Sequence, residues 1–208
     1  MKKLILAAFA GIGLGAVVTA AAAPAIQVEG DKQAGKKMAQ QCAACHGQDG
    51  NSTNPKWPKL AGQHASYMYK QLEDFKAKRR ENATMYGQVQ GLSKKDMQNL
   101  AVYYAAQDMK LGEADAKLAD LGERIYRAGD ATDGVAPCMG CHGPAGRGNP
   151  AAVFPRLAGQ HSEYTVSQLR MFKDDERSND AGQMMRNIAA NMSEKQIKAV
   201  ASYIEGLR

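Results

Sequence analysis

The feature that most constrains this chain is a six-residue stretch that occurs twice. CAACHG at 42–47 returns as CMGCHG at 138–143, and the two copies use all four cysteines and two of the four histidines. The flanks repeat as well. WPKLAGQHASYMYKQLEDF from Trp57 matches FPRLAGQHSEYTVSQLRMF from Phe154, and GLSKKDMQNLAVYY matches NMSEKQIKAVASYI, in the same order and at offsets of 96 to 100 residues. The chain is a tandem duplication. Solenoid arrays need three or more units to bury a continuous core, so two self-contained domains are expected. The unrepeated, charged segment QDMKLGEADAKLADL, 107–121, reads as the linker between a domain at 26–106 and a second at 122–208.

Each unit reads as helical. Ser93 and Ser193 stand three residues before Asp96 and Gln196, the layout of a capping box. Apolar residues then recur at helical spacing, Met97, Leu100, Ala101 and Tyr104 in one copy and Ile197, Val200, Ala201 and Ile204 in the other. A middle helix is expected after each AGQH, with Met68, Leu72 and Phe75 matched by Val166, Leu169 and Phe172. A first helix precedes each Cys-x-x-Cys-His, around Gly35–Gln41 and Leu118–Ala128. No alternating strand pattern occurs. The expected class is therefore all-α, about three helices per unit with long loops. So few short helices bury little surface, and a large apolar group in the middle would supply the missing core.

Cys-x-x-Cys-His is the spacing for covalent attachment of haem c. Two thiols add to the vinyl groups along one porphyrin edge, and the adjacent histidine is brought under the iron as an axial ligand. Cys42 and Cys45 would hold one haem with His46 on its iron, and Cys138 and Cys141 a second with His142. A disulfide in each CxxC leaves the histidines unexplained, a thioredoxin-like dithiol requires a βαβ context, and a zinc site spanning both units ignores their in-register histidines.

For the opposite side of each iron, register selects Met85 and Met185, each eight residues before the capping serine of the last helix and in the loop before it. Met184 adjoins Met185 and stays an alternative. His64 and His161, in the repeated LAGQH, are alternative ligands, but they stand where a helix starts, which favours a capping or surface role. The carbonyls of Pro58 and Pro155 are candidates to accept the proximal histidine N–H and fix the ring.

Residues 1–25, MKKLILAAFAGIGLGAVVTAAAAPA, read as a cleaved signal peptide that sends a soluble chain out of the cytoplasm. Without it the chain has 25 basic and 21 acidic residues, a net of +4 that is too mild to suggest nucleic-acid binding. The charge is uneven. Residues 26–110 carry 13 basic and 8 acidic side chains, and residues 111–208 carry 12 and 13. Lys76, Lys78, Arg79 and Arg80 form the densest basic run, a candidate docking face for a charged partner.

Together CAACHG, PKLAGQH, Met85 and GLSKKD, then CMGCHGPAGRGNP, PRLAGQH, Met185 and NMSEKQ, resemble the cytochrome c4 family of dihaem bacterial cytochromes over essentially the whole mature chain. The resemblance implies two tandem cytochrome c-like domains, each wrapped round a covalent haem c with His46/Met85 and His142/Met185 as axial ligands. It implies a periplasmic electron carrier rather than an enzyme, working in a respiratory chain between a quinol-oxidising donor complex and a haem-copper terminal oxidase. Peripheral association with the membrane surface is left open. The competing readings are a dihaem subunit of a sulfide-oxidising flavocytochrome and a dihaem peroxidase-type enzyme.

Overall fold

The computed structural model describes residues 27–208, so the signal-peptide segment lies outside the described residues. Ten α-helices are present among them. In the first unit these are α1 (Lys32–Met38), α2 (Ala43–His46), α3 (Ala65–Lys76), α4 (Ala83–Val89) and α5 (Lys94–Ala105); in the second, α6 (Ala119–Ala128), α7 (Met139–His142), α8 (Ser162–Lys173), α9 (Met184–Ala190) and α10 (Glu194–Gly206). The only β-type pairings among the described residues are two isolated bridges, Asp130 with Val135 and Asn149 with Phe154. The all-α expectation holds. The helix count per unit is higher than expected, because the attachment turn and the methionine segment each form a short helix too brief to show a period in sequence.

The helices start where the sequence places their caps. Ser93 Oγ accepts from Asp96 N at 3.2 Å and Asp96 Oδ2 from Ser93 N at 2.9 Å. Ser193 and Gln196 repeat the box at 3.3 and 2.7 Å.

In each unit the first helix packs on the last, α1 on α5 and α6 on α10, and the middle helix packs on the last as well. The crossings are close because a glycine sits at each. A Cβ on Gly35 would lie 2.1 Å from the Asn99 carbonyl oxygen, and one on Gly122 would lie 2.3 Å from that of Ala199. Around these crossings Met68, Phe75, Met97, Leu100 and Tyr104 form one core and Ile125, Tyr126, Leu169, Ile197, Val200 and Ile204 the other. The chain between α5 and α6 is tied down on both sides. Asn51 holds Asp108 O and Lys110 N at 2.9 and 2.8 Å, while Gly112 N reaches Glu205 O at 3.1 Å and Asp115 N reaches Ser202 Oγ at 2.8 Å.

Candidate haem-attachment sites

Helix α2 is a single turn built from the motif itself. Cys42 is its N-cap, Cys45 lies within it and His46 is its last residue. Helical spacing puts the two thiols on one face, with His46 one turn from Cys42. Helix α7 repeats this with Cys138, Cys141 and His142. All four thiols are free. Burial pushes the Cys42 thiol up and that of Cys138 up to about 11, the opposite of the lowered value a redox-active dithiol requires. No three His, Cys, Asp or Glu side chains gather into a metal-holding cluster among the described residues, which leaves the zinc reading without a site.

The two histidines are held alike. His46 Nδ1 lies 2.9 Å from Pro58 O, and His142 Nδ1 lies 3.0 Å from Pro155 O. A carbonyl can only accept, so Nδ1 carries the proton in both rings and Nε2 is left with its lone pair. Nε2 has no hydrogen-bond partner among the described residues. Burial lowers the affinity of both imidazoles for a second proton, against the opposing pull of the proline carbonyls. Each ring is a neutral, oriented nitrogen donor.

Met85 and Met185 stand on short helices, α4 and α9, rather than in the loops expected from sequence. Asn82 caps α4 by accepting from Met85 N at 2.9 Å. In the second unit Gly182 and Gln183, at φ 60° and 57°, turn the chain into α9. Met85 packs on the same core as Cys42, and Met185 on the same core as Cys138. Met184, the sequence alternative, is 40 % exposed. Cys42 and Met85 thus pack on one core together with half-buried Leu60 and Leu72, and Cys138 and Met185 on the other with Leu157 and Val166.

His64 and His161 do stand at helix N-caps, but neither side chain makes a capping bond. Each crosses to the other unit. His64 Nε2 donates to Arg147 O at 2.6 Å, and His161 Nε2 to Ser52 O at 2.8 Å. The preceding glutamines are reciprocal too. The Gln63 amide bonds Arg156 N and O at 2.9 Å each, and the Gln160 amide bonds Lys59 N and O at 2.9 Å each. The repeated LAGQH is therefore an inter-domain clasp, a role sequence reasoning missed. The signal was available in the repetition itself, since a polar Gln-His pair kept in both copies without a motif chemistry has to meet something.

Arg80 corrects the sequence reading most sharply. It is not part of an exposed basic run but 7 % exposed, and its counterpart Arg177 is 5 % exposed. Arg80 stacks on Phe75 and donates to Gln71 of its own unit and to Tyr164 and Gln168 of the other. Arg177 stacks on Phe172 and donates to Gln168 of its own unit and to Tyr67 and Gln71 of the other. Burial pushes the Tyr67 phenol up, and the Arg177 and Arg80 charges outweigh it and hold the phenol below its ordinary value. Neither guanidinium is hydrogen-bonded to a carboxylate. Their charge is balanced in part by the buried Asp74 carboxylate, which favours the charged form of Arg80 and reaches Arg177 through Asn179. Haem brings the vinyl groups that the paired thiols require, an iron for the oriented imidazoles and a flat apolar body for the half-buried leucines and valine, so the residues present fit the group.

The cytochrome c family profile matches residues 32–117 and again 119–208. Cytochrome c4 of Thiocapsa roseopersicina is 49 % identical over 189 residues, 90 % of this chain and 96 % of that relative. Cytochrome c4 of Azotobacter vinelandii is 45 % identical over 188 residues, 86 % of this chain and 90 % of that relative. The crystal structure of reduced recombinant cytochrome c4 from Pseudomonas stutzeri superposes with a TM-score of 0.84 at 43 % identity, covering 86 % of this chain and all of that one. Two Cys-x-x-Cys-His turns, each with an oriented histidine, and a duplication matched along its length make this chain a member of the cytochrome c4 family, a dihaem electron-transfer cytochrome with two covalent haem c groups.

Proposed function

We propose that the protein is a periplasmic electron carrier of a respiratory chain, receiving electrons from the quinol-oxidising side and delivering them towards a haem-copper terminal oxidase, with His46/Met85 and His142/Met185 as axial pairs. The observation that carries this reading is the equivalence of the two sites. In both units the attachment histidine is fixed by a proline carbonyl with Nε2 free, and a half-buried methionine packs on the same core as the first attachment cysteine.

Bound haem c supplies a one-electron ferric/ferrous couple whose potential is raised by methionine ligation. The chain's residues do the rest. Pro58 and Pro155 hold the imidazoles in the tautomer that presents a nitrogen lone pair, and Met85 and Met185 would supply the second protein ligand to each haem. With His46 and Met85 holding one haem and His142 and Met185 the other, neither iron would keep a place for a substrate, and the chemistry supplied would be electron exchange. The export segment 1–25 supports the periplasmic placement.

The test is the visible and near-infrared spectrum of the oxidised holoprotein with a redox titration. A methionine-to-ferric charge-transfer band with intensity for two haems, two high potentials, and oxidation of the reduced protein by membranes containing a haem-copper oxidase are the expected results. A high-spin haem, cyanide binding or peroxide turnover would overturn the carrier reading. Co-purification with a flavoprotein would move it into the sulfide-oxidising complex.

A further inference from the structure

The loop after the middle helix is built the same way in both units but carries opposite charge. Its anchoring contacts and backbone repeat. Phe75 and Phe172 lie beneath Arg80 and Arg177. Lys76 and Lys173 each donate through Nζ to a carbonyl before the last helix, Leu92 O and Met192 O. Lys78 and Asp175 both take a left-handed backbone, φ 57° and 59°. Only the three solvent-facing positions between these fixed points differ: Ala77-Lys78-Arg79 in the first unit stands opposite Asp174-Asp175-Glu176 in the second. The neighbouring helix start follows suit, with Lys94 in place of Glu194. Since backbone and packing are shared, folding does not demand the change of sign.

The balance within each face differs as well. The acidic copy is partly neutralised in place, by Arg186 on Asp175 at 2.7 Å and by Arg170 on Glu194 at 2.5 Å. In the basic copy Arg79 pairs with Asp74 at 2.8 Å, whereas Lys76, Lys78, Lys94 and Lys95 are exposed and make no ion pair among the described residues. Lys78 lies over the Tyr86 ring, 4.6 Å from its centroid, next to Met85 on α4. Lys78 therefore borders the helix that carries the proposed ligand of the first haem.

We infer that the face formed by Lys76, Lys78, Arg79, Lys94 and Lys95 is the docking surface for an acidic protein partner exchanging electrons with the first haem, and that the equivalent acidic face of the second unit rejects that partner. A partner that presents carboxylates is attracted at one end of the molecule and repelled at the other, so it meets one haem and not its near-duplicate. A protein fits this face better than an anionic bilayer. Stable attachment to a membrane surface takes a polybasic patch plus an apolar anchor, and the exposed large apolar side chains among the described residues, Trp57, Leu111 and Met184, lie outside 76–95. The inference rests on the carrier reading.

The test compares the holoprotein with the variants Ala77→Asp/Lys78→Asp/Arg79→Glu and Lys94→Glu, which install residues the second unit already accommodates on the same backbone. A twenty-residue polyglutamate chain is the acidic probe, titrated at low and high salt, with Asp174→Ala/Asp175→Lys/Glu176→Arg as the control at the other end. Binding by the parent that weakens with salt, a loss of about tenfold or more in the loop variant, and a gain of binding in the control are expected. Equal binding by parent and loop variant would overturn the proposal. So would vesicles of anionic lipid binding the parent more tightly than the probe does, or low-salt self-association in sedimentation that the loop variant abolishes; these reassign the face to a membrane or to a second copy of the chain. The methionine charge-transfer band, recorded on the same samples, reports on the carrier reading separately, because no substituted residue is a proposed ligand.

Discussion

At the scale of single residues, each site as proposed turns on two atoms, a backbone carbonyl oxygen and a thioether sulfur. Pro58 O and Pro155 O set the imidazole tautomer. The adjacent pair Met184 and Met185 gives a direct check on the sulfur, since one is exposed and the other packs on the core that includes Cys138. Met185→Ala is expected to remove half of the near-infrared band and lower one of the two potentials, while Met184→Ala leaves both unchanged; the reverse pattern would exchange their roles. Attachment residues were legible in the sequence because covalent chemistry imposes a fixed spacing over five residues. Arg80 was not, because its surroundings come from α8 of the other unit, and a lysine-arginine run looks the same whether its last member points outward or inward.

At the scale of elements, the periodic helices α3, α5, α8 and α10 stand where the sequence puts them, α5 and α10 behind capping boxes, because apolar spacing and capping are local signals. Helices α4 and α9 did not show themselves. They are seven residues long, and the segment leading into α9 depends on the backbone of Gly182 and Gln183 rather than on an apolar stripe. The helix crossings make the sharpest element-level expectation. Gly122→Ala drives a methyl group to 2.3 Å from a backbone carbonyl of α10, which a rotamer change cannot relieve. A loss of at least about 2 kcal/mol is expected in denaturant unfolding of the holoprotein. Gly35→Ala should do the same to the first unit. Gly87→Ala, with nothing within 4 Å of the added carbon, is the control and should be neutral or slightly stabilising.

At the scale of the whole molecule, the two domains are joined by side chains that reach backbone as well as by the linker. Gln63 and Gln160 each satisfy an N–H and a C=O of the opposite unit and are buried. Replacing both with alanine leaves four backbone groups across the interface, and the His64 and His161 N–H as well, without these partners, at about 2 kcal/mol or more per glutamine. The expected result in calorimetry is one cooperative transition separating into two. Acid should act on the same joint. Asp74 is pushed up by burial, but Lys70, Asn179 and Arg79 outweigh this and hold it below the ordinary carboxylate range, and its Oδ2 accepts from Asn179 Nδ2 of the other unit at 2.6 Å. A carboxyl whose folded value is depressed contributes stability above its unfolded value and loses it as pH falls through the folded one. Domain coupling should therefore hold at neutral pH and weaken below the ordinary carboxylate range, and Asp74→Asn should flatten that dependence. The reciprocity of the glutamines has a consequence for assembly. A patch that grips its own copy is the isologous contact of a two-fold dimer, so the two units meet within one chain as the subunits of a homodimer would. The covalent join replaces mass action with an effective concentration on the millimolar scale. With pairing secured by the chain, the two halves can differ in surface sequence, as the loops at 77–79 and 174–176 do.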